Sequence, residues 1–203
     1  MLINAIFMKK KSTIIGIFWM IMTSFFFVGV FVTVKYIGND VPASQSAFLR
    51  YLFGTLILIP IILKSLKKTN KPLMKKFMIR GIFHAIGVTL WFYSMTVITM
   101  AEVTAIGFLT PIFICIGASF LFKEKITGFR IFAIIISFIG ALIILRPGLK
   151  LFETGHGCML FAAFVFSFSY LMVKQVSEEK SSTEIVGFLS LFTTLFLIPM
   201  AIY

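Results

Sequence analysis

The sequence predicts an all-α fold, a polytopic membrane helix bundle of about seven spans, and three observations point to it. Hydrophobic residues make up 60% of the 203 positions and charged residues only 13%, with a mean hydropathy of +1.06. A water-soluble domain of this size would have to hide that surface in one small core, whereas in lipid it can face outward. Apolar runs of about 20 residues, the length an α-helix needs to cross the hydrocarbon, recur along the chain. Short polar clusters separate the runs, and alternate clusters are strongly basic.

Taken in order, Lys9, Lys10 and Lys11 precede an apolar run that reaches Val34. That run is too long for the core of a signal peptide, so Thr13–Val34 reads as the first span and residues 1–12 as a cytoplasmic tail. Met8, followed by three lysines, reads as an alternative start. The next spans are Ala47–Leu63, Phe77–Thr99, Val103–Phe122, Phe129–Leu145, Gly157–Val173 and Ile185–Ile202. Short connections make consecutive helices antiparallel neighbours.

Lysine and arginine placement sets the orientation. With the N-terminus in the cytoplasm, the inner segments hold Lys9–Lys11, the cluster Lys64, Lys67, Lys68, Lys71, Lys75, Lys76 and Arg80, then Lys123, Lys125, Arg130, Lys174 and Lys180. The outer side keeps only Lys35, Arg50, Arg146 and Lys150. The formal net charge of +12 is therefore an insertion signature and calls for no nucleic acid. Contact of the Lys64–Lys76 cluster with anionic headgroups follows as a by-product.

Shifted by 139 positions, the chain matches itself without a gap from Gly16 to Lys64. Leu56-Ile57-Leu58-Ile59-Pro60 falls on Leu195-Phe196-Leu197-Ile198-Pro199, Val34-Lys35 on Val173-Lys174, and Phe25 and Phe27 on Phe164 and Phe166. Spans six and seven thus repeat spans one and two. Five spans per copy is odd, so the second copy enters the membrane inverted, the plan of secondary transporters. Residues 13–148 read as a complete five-helix repeat and 149–203 as a partial one of two helices. Tyr203 aligns with Lys64, so the chain is expected to be truncated, a full second copy adding about 80 to 90 residues and three helices.

The stretches Ala101-Glu102-Val103-Thr104-Ala105-Ile106, Phe108-Leu109-Thr110-Pro111-Ile112-Phe113 and Leu121-Phe122-Lys123-Glu124-Lys125, with a fifth span ending Gly140-Ala141-Leu142-Ile143-Ile144-Leu145-Arg146-Pro147-Gly148, resemble the signature of EamA-type transporters of the drug/metabolite transporter superfamily. Arg50-Tyr51-Leu52-Phe53 fits the same pattern. The resemblance covers Gly16 to Gly148 and continues more weakly to the end. It implies a ten-helix carrier of a small organic solute, such as an amino acid or S-adenosylmethionine, in the bacterial inner membrane. A homodimer is an alternative way to complete the missing half, as small members of the superfamily pair.

Polar residues inside a span are costly and so mark candidate pathway positions. Arg50, one turn inside the second span, either snorkels to the headgroups or faces the bundle to meet an anionic solute or Glu102. Arg80 reads as snorkelling. Gly81, His84, Val88 and Trp91 share one helical face, which either lines a cavity or packs with His84 bonded to a neighbour. Trp91 and Tyr93 offer flat aromatic walls, and Trp19 reads as an interface anchor.

Thr110 and Pro111 complete the candidate set, Pro111 because it frees a backbone carbonyl. The stripes Gly107, Pro111, Cys115, Ser119 and Ala133, Ser137, Ala141 read as packing seams. Cys115 and Cys158 read as small packing residues, with no metal-ligand spacing and no disulfide framework. No motif for enzyme chemistry, a cofactor or nucleotide hydrolysis is present, which favours a secondary carrier. The competing readings are a non-transporting remnant or membrane interaction protein and, less in keeping with the repeat, a seven-helix receptor or channel.

Overall fold

The computed structural model describes residues 2–37, 40–145 and 152–202. Arg146, Lys150, the domain boundary at 148/149, Tyr203 and the side chains of Lys9–Lys11 lie outside the described residues. Two compact units are present, residues 1–38 and residues 39–203. The first consists of one helix, α1 (Leu2–Ile37). It has 36 residues and is about 54 Å long at 1.5 Å per residue, well beyond the roughly 30 Å hydrocarbon core. The segment assigned to a tail is therefore helical from Leu2 onward.

The second unit contains α2 (Ala43–Leu66), α3 (Lys71–Val97), α4 (Met100–Gly107), α5 (Thr110–Phe122), α6 (Gly128–Leu145), α7 (Thr154–Val176) and α8 (Ser182–Ile202). No strand occurs among the described residues. Five helical segments are long and apolar enough to cross a membrane, with α4 and α5 together counting as one of them, and α6 is a shorter apolar helix. The protein is thus a polytopic helical membrane bundle. The long helix α3 carries its charges, Lys71, Lys75, Lys76 and Arg80, in its first three turns.

Local chemistry sets the helix ends. Asn70 caps α3, its side chain accepting a 2.9 Å bond from Leu73 N, with Pro72 in the first turn where a missing N–H costs nothing. Thr99 and Glu102 form a capping box at the start of α4. The expected fourth span is broken at Phe108–Leu109. Pro111 cannot donate to the carbonyl of Gly107, and its ring crowds that carbonyl, so the helix stops and restarts with Pro111 in the first turn of α5. Lys123 ends α5 in the left-handed region (φ 54°).

α3 is the centre of the unit and packs against α7 and α8; α2 packs against α8, and α5 against α7. Where α2 ends, α3 begins, α7 ends and α8 begins, Ile62, Leu73, Phe77, Val176, Ile185 and Phe188 form a buried core. The rings of Phe77 and Phe188 stack there at 4.6 Å. The close α3–α7 approach depends on Gly87: a Cβ there would lie 2.8 Å from the ring of Phe166. α6 turns Phe129, Phe132, Ile135 and Phe138 outward, as lipid contact permits.

The register seen in sequence recurs in the helix boundaries. α1 ends at Ile37 and α7 at Val176; α2 begins at Ala43 and α8 at Ser182. Each pair of boundaries is offset by the same 139 positions. Pro60 and Pro199 fall inside α2 and α8 at matching positions.

Candidate functional site

A polar and aromatic cluster lies inside the second unit where α2, α3 and α7 meet. Its centre is His84, buried on α3. One ring nitrogen, Nε2, is 2.6 Å from the hydroxyl of Tyr51 on α2. The other, Nδ1, is 3.3 Å from the hydroxyl of Ser169 on α7. His84 thus ties three helices together, and either neutral tautomer serves, since both hydroxyls donate or accept. The rings of Tyr51, Phe166 and Tyr170 surround it at centroid distances of 5.5, 5.0 and 6.4 Å.

Arg50 sits beside this core, half-buried. Its guanidinium lies 5.1 Å from the Tyr51 ring centroid and 5.6 Å from that of Trp91, inside the range of cation–π attraction. Nη1 donates a 3.5 Å bond to the Tyr51 hydroxyl. Arg50 has no ion-pair partner among the described residues. The guanidinium is turned toward these two rings. Trp91 is buried, two helical turns beyond His84, with Phe166 edge-on at 6.4 Å. The face Gly81, His84, Val88, Trp91 is buried throughout.

Arg80 corrects the sequence reading. It does not snorkel: it is 4% exposed, and it donates to the carbonyls of Ser169 (3.3 Å) and Ile185 (3.1 Å). The α3 face that carries it is covered by α7 and α8, so its stem cannot reach water, and the two carbonyls replace the lost hydration.

The remaining candidates lie apart from this cluster. Tyr93 is partly exposed and its hydroxyl is 3.2 Å from that of Thr154. Glu102 is buried in its capping box, Oε2 accepting from Thr99 N (3.0 Å) and Thr99 Oγ1 (2.7 Å). Oε1 of Glu102 faces His156 Nε2 at 3.8 Å. Thr110 is half-buried at the start of α5, and Pro111 is exposed.

The small-residue stripes are corrected in part: Gly107 packs near Met159 and Ala141 is buried, as a seam requires. Pro111 and Cys115 on α5 and Ala133 and Ser137 on α6 do not close into a seam; with residues of α7 they line a cavity of about 440 Å³. Tyr170 belongs both to this cavity and to the rings around His84. At one end of the cavity Glu124 accepts from Lys174 Nζ and from Arg130 Nη1, the latter at 3.3 Å. These hydrogen bonds, that from Lys174 foremost, hold the Glu124 carboxyl below the usual carboxylate range.

Sequence reasoning passed over Tyr51, Phe166, Ser169, Tyr170 and His156. Tyr51 was signalled by its place beside Arg50, and Ser169 by a hydroxyl inside an apolar run. The capping box of Glu102 was readable from the Thr-x-x-Glu spacing at Thr99.

Residues 14–146 match the model of the EamA-like transporter family. Among curated proteins, an S-adenosylmethionine uptake transporter of Rickettsia prowazekii is 26% identical over 170 residues, 82% of this chain and 57% of its own length. One of the same description from Rickettsia bellii is 27% identical over 194 residues, 94% of this chain and 66% of its own. A riboflavin transporter of Vibrio cholerae is 27% identical over 199 residues, 95% and 66%. The chain therefore spans 57–66% of the length of these relatives. No solved structure matches it.

Proposed function

The chain belongs to the EamA-like transporter family, and on that premise we propose that it serves in the membrane transport of a small organic metabolite, bound at the cluster of Arg50, Tyr51, His84 and Trp91. The observation that carries this reading is the setting of Arg50. A cation without an ion-pair partner among the described residues, held between two aromatic faces inside the bundle, is suited to a carboxylate on a molecule that also has a flat ring. Charge-assisted bonds from guanidinium to carboxylate are the strong ones, and Trp91 with Phe166 supplies a stacking wall. His84 positions Tyr51 beneath Arg50 through their 2.6 Å bond.

S-adenosylmethionine combines a carboxylate with an adenine ring, and the Rickettsia relatives are described as its uptake transporters. It is the first solute to test. The chain acts as a secondary carrier in the bacterial inner membrane, with the N-terminus in the cytoplasm, as the basic loops favour. Residues 13–148 form one repeat and 149–203 part of an inverted second one. The shared 139-residue offset of the helix ends supports that division. A homodimer is a further way for two copies to enclose a site.

Uptake of labelled S-adenosylmethionine by the purified chain in liposomes tests the reading. Saturable uptake that disappears in Trp91→Ala supports it. Uptake no greater than that of empty liposomes, or uptake unaffected by Trp91→Ala, overturns it.

A further inference from the structure

The cavity between α5, α6 and α7 adjoins the cluster around His84 through Tyr170 but does not include Arg50, and its walls differ in chemistry. Ile112 and Ala118 of α5, Ile134 of α6 and Leu171 of α7 make most of it apolar. Its volume of about 440 Å³ falls within the roughly 300–1,000 Å³ of ligand pockets.

Its charged groups are gathered at one end. Glu124, Arg130 and Lys174 line that end, and Lys123 and Lys125 flank Glu124 in the same loop. One carboxylate answers four cations, and Arg130 and Lys174 remain half exposed while paired (51% and 56%). Lys174 also lies over the Phe122 ring at 4.7 Å. The mouth stands at the end of the bundle that carries the basic loops. Val176, two residues beyond Lys174, packs with Ile62 and Leu73, which flank the Lys64–Lys71 segment.

From the apolar walls and this one-ended positive charge we infer that the cavity is a binding site for an anionic phospholipid of the adjoining leaflet. One acyl chain lies between α5 and α6, and the phosphate meets Arg130 and Lys174. Basic pockets between spans at the cytoplasmic side take anionic headgroups in this way. The stripe residues Cys115, Ala133 and Ser137 are small enough to leave room for the chain where larger side chains would close the gap. Glu124 holds the two cations at the mouth, and a phosphate can share them without breaking the loop's tie to α7. The inference does not rest on the transport reading, because none of these groups touches Arg50.

Native mass spectrometry of the delipidated chain tests it, with phosphatidylglycerol and phosphatidylethanolamine of identical acyl chains. Phosphatidylglycerol should be retained about tenfold more strongly. Arg130→Gln with Lys174→Gln should remove that preference, and Arg130→Lys with Lys174→Arg should keep it. Ala133→Trp, which fills the cavity and leaves the charge alone, should lower retention of both lipids. Equal retention of the two lipids by the unaltered chain overturns the inference. So does a preference that survives the double Gln change, or retention untouched by Ala133→Trp. Displacement of the lipid by S-adenosylmethionine assigns the cavity to the solute instead and overturns it as well.

Discussion

Thr55 and Thr194 stand 139 residues apart, and their hydroxyl oxygens meet at 3.0 Å in the buried contact between α2 and α8. That separation equals the 139-position offset at which the sequence matches itself. A Cβ at Gly54 would come within 3.2 Å of Ser190 Oγ, so α2 and α8 approach closely here.

Each threonine hydroxyl also lies within reach of a carbonyl of its own helix, Tyr51 O at 2.9 Å from Thr55 and Ser190 O at 2.8 Å from Thr194; with one proton each, one hydroxyl donates across to the other, which donates to its own carbonyl. Replacing one by valine therefore strands no hydroxyl. Interhelical bonds in membranes average about 0.6 kcal/mol and reach about 1.7. A double-mutant cycle of Thr55→Val and Thr194→Val, read by thermal melting in detergent, should give a coupling in that range. A coupling of zero would remove the contact from the account.

Arg80 gives a second expectation. The buried guanidinium bonded to Ser169 and Ile185 places this position out of reach of water, whereas Lys75, one turn earlier on α3, is exposed. Lys75→Cys should react with a membrane-impermeant maleimide and Arg80→Cys should not. Equal labelling would restore the snorkelling reading.

Glu124 gives a pH dependence. Its pKa is lowered in the folded protein, first by the hydrogen bond from Lys174. A depressed carboxyl stabilises above its unfolded value of about 4.3, and the contribution is lost as pH falls through the folded value. The tie between the α5–α6 loop and α7 should hold at neutral pH and loosen in acid. A spin label on Ile126→Cys should gain mobility only as pH falls below the ordinary carboxylate range. Adding Glu124→Gln should make the label mobile at every pH. A label as restrained with Glu124→Gln as without it would contradict this.

Hydropathy made the helices readable, because each apolar run is set by the thickness of the bilayer and not by its neighbours. Rotation about the helix axis was readable only in part. Four-residue and three-residue spacing placed Gly81, His84, Val88 and Trp91 on one face, and that face is buried. The same hydropathy gave Arg80 a depth near the interface but no direction. Its partners lie 89 and 105 residues away, and a local sequence pattern cannot supply them. The stripe residues that line the cavity, Pro111, Cys115, Ala133 and Ser137, were misplaced for a related reason. Small residues show that a close approach is allowed, and the distance to the facing helix decides between seam and cavity. Within the fourth span, Pro111 signalled a disturbance; the full break appears only when the capping box at Thr99 and the lost bond to Gly107 are taken together.

The most direct test of the account is equilibrium binding at the cluster of Arg50, His84 and Trp91. The chain has two tryptophans, so Trp19→Phe leaves Trp91 as the only one and makes its fluorescence report on the site. Titration with S-adenosylmethionine in detergent should quench that emission saturably. Arg50→Gln in the same background should weaken binding about tenfold or more, as expected for a charge-assisted bond of about 1.5–3 kcal/mol. Tyr93→Phe, which lies apart, should leave it unchanged. An emission that does not respond to the solute, or a response that Arg50→Gln leaves intact, would contradict the assignment.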